Sequence, residues 1–382
     1  MKARIFSCFL GSFMANGLAR FGYVVMIPFL ILEGHLSQAQ SFQLGIAVLV
    51  GYIFGGMLIN VLSRFLSLEG IAKISFLVIA LSFLACEWSH LPFIWLWIWR
   101  FLGGASSASL MILLAPLCLP YMKENYRSIT GGFIFSGIGA GAIFSGFVLP
   151  PLALMDLKWA WLMLGGVGVV AFLVSLVALK NWSLVNATKE NTPFKVPFHL
   201  WLLILSYGLN AIGFLPHTLF WVDYLVRGLH IDSYVAGVSW AFFGFGAFVG
   251  SLVSGVIGYK IGATSANILM IILKALSCFL GAFSHEIIWL NVSVFVMGAT
   301  TIANVNLGNM MVLEIVGAKH FARACSFLTM NFALFQALFS YIFALSLETI
   351  GYFWLFNLCG ICLVVSVILL LPIQKARQGI KA

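Results

Sequence analysis

Long apolar runs separated by short polar punctuation make up nearly the whole chain, at approximately 5–32, 40–62, 70–88, 91–118, 127–153, 157–180, 198–226, 233–259, 264–283, 286–315, 320–347 and 349–373. A helix needs about 20 mainly apolar residues to cross the hydrocarbon of a bilayer. The pattern therefore predicts an all-α membrane protein of twelve transmembrane helices. The longest polar stretch, NWSLVNATKENTPFKVP at 181–197, holds two prolines and divides the runs six and six. Such halves suggest an internal repeat, with a binding site near the midplane where the halves meet. The expected organisation is a six-helix bundle over 1–180, a cytoplasmic linker over 181–197, and a second six-helix bundle with a short cytoplasmic tail over 198–382.

Polar residues inside these runs are few and regularly spaced. In the first run Asn16, Arg20 and Tyr23 lie four and three residues apart, which puts them on one face of a helix. An arginine at the bilayer centre costs about 2.5–3.5 kcal/mol on insertion scales, so this face turns toward other helices or a watery cavity. Trp97, Arg100, Gly104 and Ser107 share a face of the fourth run. In the seventh, Tyr207, Asn210, Phe214, His217, Trp221 and Tyr224 recur at spacings of three and four. Aligning the halves on Asn16 and Asn210 sets Tyr23 opposite His217 and Arg20 opposite Phe214, which leaves one half cationic. The tenth run carries Thr300, Thr301, Asn304, Asn306 and Asn309, more polar groups than an apolar helix needs. Lys274, in the ninth, is expected to snorkel or to form a local pair. Asp223 is the one carboxylate well inside an apolar run, and with His217 it is the candidate for proton linkage.

Small residues form a second pattern: Gly51, Gly55 and Gly56 in the second run, Gly132, Ser136 and Ala140 beside Gly137, Gly141 and Ser145 in the fifth, and Gly246, Gly250, Ser254 and Gly258 in the eighth. These rows read as seams where helix backbones approach closely. A phosphate-binding glycine loop would need a strand before it.

Composition narrows the function. A chain that is 62% hydrophobic and 8% charged is no soluble globule, in which about a quarter of residues are charged. The formal charge of +9 would suggest nucleic acid in a soluble protein, but here it follows topology. With the N-terminus taken as cytoplasmic, fifteen lysines and arginines fall on the inner side and only Lys158 and Arg227 on the outer. Both termini are then cytoplasmic, in an inner membrane, and the first run is an uncleaved helix. Seven cysteines spread through apolar runs imply packing rather than a disulfide framework. No metal cluster, nucleotide loop or nucleophile with a nearby base points to an enzyme or a cofactor. Cations within the runs outnumber carboxylates three to one, so the expected solute is anionic or zwitterionic rather than cationic.

Five segments carry a family resemblance: GLARFGYVVMIP, WRFLGGASSAS, GGFIFSGIGAG, YGLNAIGFLPHTLFWVDYL and ARACSFLTMNFALFQ. Over almost its whole length the chain resembles the major facilitator superfamily, and within it the YbfB/YjiJ-like branch. It departs from that pattern at Asn60, where the loop motif normally has aspartate, and at Ala337 to Ser340, where relatives often have a glycine-proline step. The resemblance implies alternating access between the two bundles, with the first, fourth, seventh and tenth helices around a central cavity. The candidate substrate contacts are then Arg20, Asn16, Tyr23, Arg100, Tyr207, Asn210, His217, Trp221, Thr300 and Asn304, with Asp223 and His217 for coupling. The expected protein is a monomeric secondary transporter of a small organic solute, with protons as coupling ion and no nucleic-acid partner. A drug or siderophore transporter of the same fold, or a non-transporting receptor or assembly factor, are the alternatives. The topology is tested by cysteine labelling: probes at Lys189 and Lys381 should be unreachable from outside intact cells, and labelling of either would overturn it.

Overall fold

The computed structural model describes residues 1–23, 26, 29–30, 34, 36–87, 91–180, 195–221 and 224–381. Helices account for almost all of them and no strand occurs among them, as a bilayer demands, because only internally bonded backbone escapes the cost of unpaired amides in lipid. The first helix, α1 (Lys2–Ser12), runs on as a π-helical stretch, Phe13–Gly22. It is followed by α2 (Gln38–Leu62), α3 (Leu68–Cys86), α4 (Phe93–Cys118), α5 (Glu124–Met155) and α6 (Leu157–Ala178). Then come α7 (Phe198–Gly213), a turn at Leu215–Thr218, a π-helical stretch at Tyr224–Gly228, α8 (Ser233–Ile261), α9 (Ala263–Phe283) and a long final run, α10 (Ile287–Lys381). Among the described residues nine helices are long and apolar enough to span a membrane.

Helix starts are set by ordinary caps. Ser37 and Gln40 form a reciprocal capping box at the head of α2, and Ser67 and Asp156 accept backbone N–H groups at the heads of α3 and α6, each cap satisfying donors that the helix cannot pair itself. The final run breaks at Gly317 (φ 68°, ψ 177°) and Gly351 (φ 71°, ψ 166°). Side chains are essentially excluded from that conformation, so glycine is the residue that turns the chain there.

The residues cluster into two compact units. One comprises Met1–Met122, Gly137–Pro193 and Ala318–Met330; the other Lys123–Ser136, Phe194–Gly317 and Asn331–Ala382. In the first unit the tightest seam is α2 against α4. A Cβ at Gly51 would strike the Phe101 carbonyl, one at Gly55 the Ala105 carbonyl, and one at Gly104 the Val48 carbonyl. The second unit repeats this seam between α8 and the start of α10: Gly246 lies on the Phe295 carbonyl, Gly250 on that of Ala299, and Gly298 on that of Phe243. The two rows on α5 serve different neighbours. Gly137 and Gly141 lie on Phe9, Phe13 and Gly17 in the first unit, whereas Gly132 lies on Ser251 in the second, where the Ser251 hydroxyl donates to the Gly132 carbonyl at 2.7 Å.

Polar groups close the rest of the packing. Arg4 of α1 pairs with Glu69 of α3 at 2.7 Å, donates to the Leu117 carbonyl of α4 at 2.6 Å, and lies over the Tyr121 ring. Asn60, the departure from the loop motif, donates to the Ser326 hydroxyl at 2.9 Å, and Ser326 donates to the Gly56 carbonyl at 2.7 Å. A neutral amide thus holds a position where the resemblance leads one to expect an acid.

Because the glycines face backbone, which cannot swing aside, Gly55→Leu and Gly250→Leu should each cost more than the roughly 1–3 kcal/mol of ordinary overpacking. Val365→Leu, at a position 41% exposed, should leave the thermal unfolding midpoint in detergent unchanged. Equal tolerance at the three sites would refute the seam.

Candidate functional site

The first-run face carries three of the first unit's candidates, Asn16, Arg20 and Tyr23, but the winding divides it. Phe13–Gly22 is π-helical, and i→i+5 bonding turns the chain through a smaller angle per residue, so neighbours three apart no longer share a face. Arg20 and Asn16 face Tyr52 of α2, whose phenol lies in the field of Arg20 and beside the Asn16 side chain. Tyr23 turns instead to Trp161, with ring centroids 6.5 Å apart, and lies under the Arg100 guanidinium, 4.1 Å from its ring centroid.

The two arginines therefore differ in kind. Arg100 is 2% exposed, donates from Nη2 to the Ala19 carbonyl at 2.9 Å, and is roofed by Tyr23. It ties α4 to the π-helical stretch. Arg20 is only partly buried. Its near neighbours are the Tyr52 phenol and its own neighbour Phe21, whose ring lies 5.5 Å away, and among the described residues no carboxylate or hydrogen-bond acceptor engages it. Beside it, the Asn16 Oδ1 is buried without a partner among the described residues. A permanent cation next to a vacant amide acceptor can receive a carboxylate on the guanidinium and a donor on the amide.

In the second unit α7 packs along α9. Asn210 accepts from Lys274 Nζ at 2.6 Å, the Gly213 carbonyl accepts from the Cys278 thiol at 3.1 Å, and the Tyr224 hydroxyl donates to the Gly281 carbonyl at 2.9 Å. His217 is fully buried between Trp221, at 4.9 Å, and Phe356, at 5.1 Å, with Nε2 2.7 Å from the Ser293 hydroxyl. Ser293 donates to the Ser277 carbonyl at 2.7 Å, so it must accept from His217, which places a proton on Nε2. Nδ1 has no partner among the described residues. Trp221 donates to Ser239 at 3.1 Å, and Tyr207 lies against Phe332 with centroids 5.0 Å apart. Thr300 bonds back to the Val296 carbonyl of its own helix at 2.7 Å, while Asn304 donates to Asn267 of α9 at 2.8 Å. Asp223 lies outside the described residues.

Four partners escaped the sequence reading: Tyr52, Lys274 in its pairing with Asn210, Ser293 and Asn267. Only the α7–α9 seam had a readable signal. Asn210, His217 and Tyr224 fall seven apart in the seventh run, and Lys274, Cys278 and Gly281 recur at four and three in the ninth.

These features define a multi-pass helical membrane protein whose few polar side chains are turned inward. The chain matches the family described as uncharacterised MFS-type transporter YbfB over residues 12–371, and it belongs to that family. It is accordingly a membrane transporter-family protein and not an enzyme. Solved structures agree in fold. The human organic anion transporter MFSD10 (TETRAN) superposes with a TM-score of 0.78 at 14% identity, covering 97% of this chain and 99% of that one. FucP in its outward conformation gives 0.76 at 12%, covering 96% and 97%. A bacterial homologue of the iron transporter ferroportin in an outward-facing state gives 0.74 at 14%, covering 97% and 99%. No curated protein sequence matches the chain.

The contrast between the arginines is measurable as stability. Arg100→Gln strands the Ala19 carbonyl and should cost about 1–3 kcal/mol. Arg20→Gln removes a cation that has no hydrogen-bond acceptor among the described residues and should leave the unfolding midpoint unchanged or raise it. Equal losses in both variants would make Arg20 a structural residue.

Proposed function

We propose that the protein is a secondary active transporter that moves a small anionic or zwitterionic organic solute across the inner membrane by alternating access. The observation that carries this reading is Arg20: a half-buried arginine within a membrane run, without a counter-charge and beside an amide oxygen without a partner among the described residues. Family membership supports the transport class. The breaks at Gly317 and Gly351 support a count of twelve spans. The repeated glycine seam supports two six-helix bundles, 1–180 and 198–382, joined by a cytoplasmic linker at 181–197. The inward bias of lysine and arginine supports cytoplasmic termini.

On this reading Arg20 clamps the anionic group, with Asn16 and Tyr52 as hydrogen-bonding neighbours. Tyr207, Asn210, Trp221, Thr300 and Asn304 remain candidate contacts from the other half, and Tyr23 and Arg100 act by holding the π-helical stretch. Protons are the proposed coupling ion. His217 and Asp223 were the sequence candidates for carrying them, but a proton added at His217 Nδ1 would find no acceptor in the conformation described. Guanidinium is always charged and presents a planar fork to a carboxylate, whereas lysine offers only a point charge.

A thermal-shift screen of the purified protein against small carboxylates and amino acids identifies the solute. Arg20→Lys should then weaken binding by about tenfold and Arg20→Gln by about 100-fold, the range for hydrogen bonds to charged groups. An Arg20→Gln protein that folds and binds its solute unchanged would sink the proposal.

A further inference from the structure

Lys274 is a lysine buried to 1% exposure in the middle of α9. Its Nζ makes one hydrogen bond, to Asn210 Oδ1 at 2.6 Å, and the Phe214 ring centroid lies 5.6 Å away. No carboxylate pairs with it among the described residues. The titratable groups around it are His217 on the helix beyond Asn210, Cys278 on α9 itself, and Cys359 and Cys362, which approach Cys278 from the last part of α10. None is an acid that would be ionised beside an ammonium at neutral pH, and the start of α10 brings the neutral Ser293 hydroxyl to this seam.

An ammonium has three donors, and here one acceptor is offered among the described residues. A lone buried charge is so costly that an ionisable group in such a place gives up its charge instead. Arg100 shows the alternative in the same protein: a guanidinium cannot shed its proton, and the fold supplies it with the Ala19 carbonyl and the Tyr23 ring at 4.1 Å. Lys274 has neither a carbonyl nor a ring that close.

We propose that Lys274 is a proton-binding site, holding a neutral amine on Asn210 while the α7–α9 seam is closed and taking a proton from water when the seam opens. The proton comes from bulk water and returns to it, and no other bond is made or broken. As the carrier of proton coupling, this role rests on the transporter reading above; as a proton site, it does not.

The test is a pH titration of substrate-free protein in detergent with 15Nζ-labelled lysine. At about pH 9 ordinary lysines are still ammonium, their usual pKa being about 10.4, so a single neutral-amine signal should stand apart. It should vanish in Lys274→Gln, turn to ammonium on acidification, and appear as ammonium at the same pH in Asn210→Asp, where a carboxylate now faces it. The Asn210→Asp result decides the assignment should Lys274→Gln fail to fold. Only ammonium signals throughout the pH range in which the protein stays folded would overturn the proposal, as would a neutral signal that survives Asn210→Asp. Arg20→Gln should keep the signal. A failed solute screen beside an intact neutral amine would count against the transport reading alone.

Discussion

Backbone carbonyls lying on glycine Cα atoms are the constraint on which this structure rests. Between apolar helices in lipid there is little hydrophobic gain, since the lipid is as apolar as the side chains, so association depends on close packing and interhelical hydrogen bonds. Gly51, Gly55 and Gly104 give α2 and α4 that closeness, and Gly246, Gly250 and Gly298 do the same for α8 and the start of α10. Each seam then fixes what its helices carry. With α4 held against α2, Arg100 reaches Ala19 and Tyr23, while Tyr52, one residue from Gly51, meets Arg20 and Asn16. With α10 held against α8, Ser293 and Asn304 meet His217 and Asn267.

The second constraint is charge without water. Arg4 is neutralised by Glu69 and steadied by the Leu117 carbonyl, an arrangement in which loss of one partner costs about 3–5 kcal/mol because the other stays buried and charged. Arg100 receives only neutral partners, a carbonyl and a ring. Lys274 receives one amide oxygen, and Arg20 no acceptor among the described residues. The order of decreasing compensation is also the order in which a structural explanation becomes insufficient.

Much of the architecture was legible in the sequence because it depends on periodicity within one helix. The apolar runs, the small-residue rows and the correspondence of the second and eighth runs are local patterns, and the glycine seams lie where those rows put them. The candidate site was legible only as a list of polar residues. Asn16, Arg20 and Tyr23 read as one face because an α-helical period was assumed, and the π-helical winding of Phe13–Gly22 separates Tyr23 from the other two. Lys274, expected to snorkel or pair locally, does neither: it is buried and donates to Asn210 on α7, which nothing in the ninth run names as a partner. Contacts between helices distant in sequence depend on rotation and depth, which hydrophobic spacing does not encode.

The choice of cation at each position follows from what a charge must do there. At Arg20 a lysine would be easier to bury, since it can shed its proton, yet the residue is arginine and its charge cannot be switched off. That suits a group whose counter-charge arrives and departs with a solute. At Lys274 an arginine would leave unanswered donors among Asn210, Phe214 and Cys278, whereas a lysine can stay neutral in the closed seam and become charged in an open one. A fixed charge at Arg20 and a releasable one at Lys274 fit the proposed coupling of an anion to a proton, and exchanging the two residues would forfeit the property that each place uses.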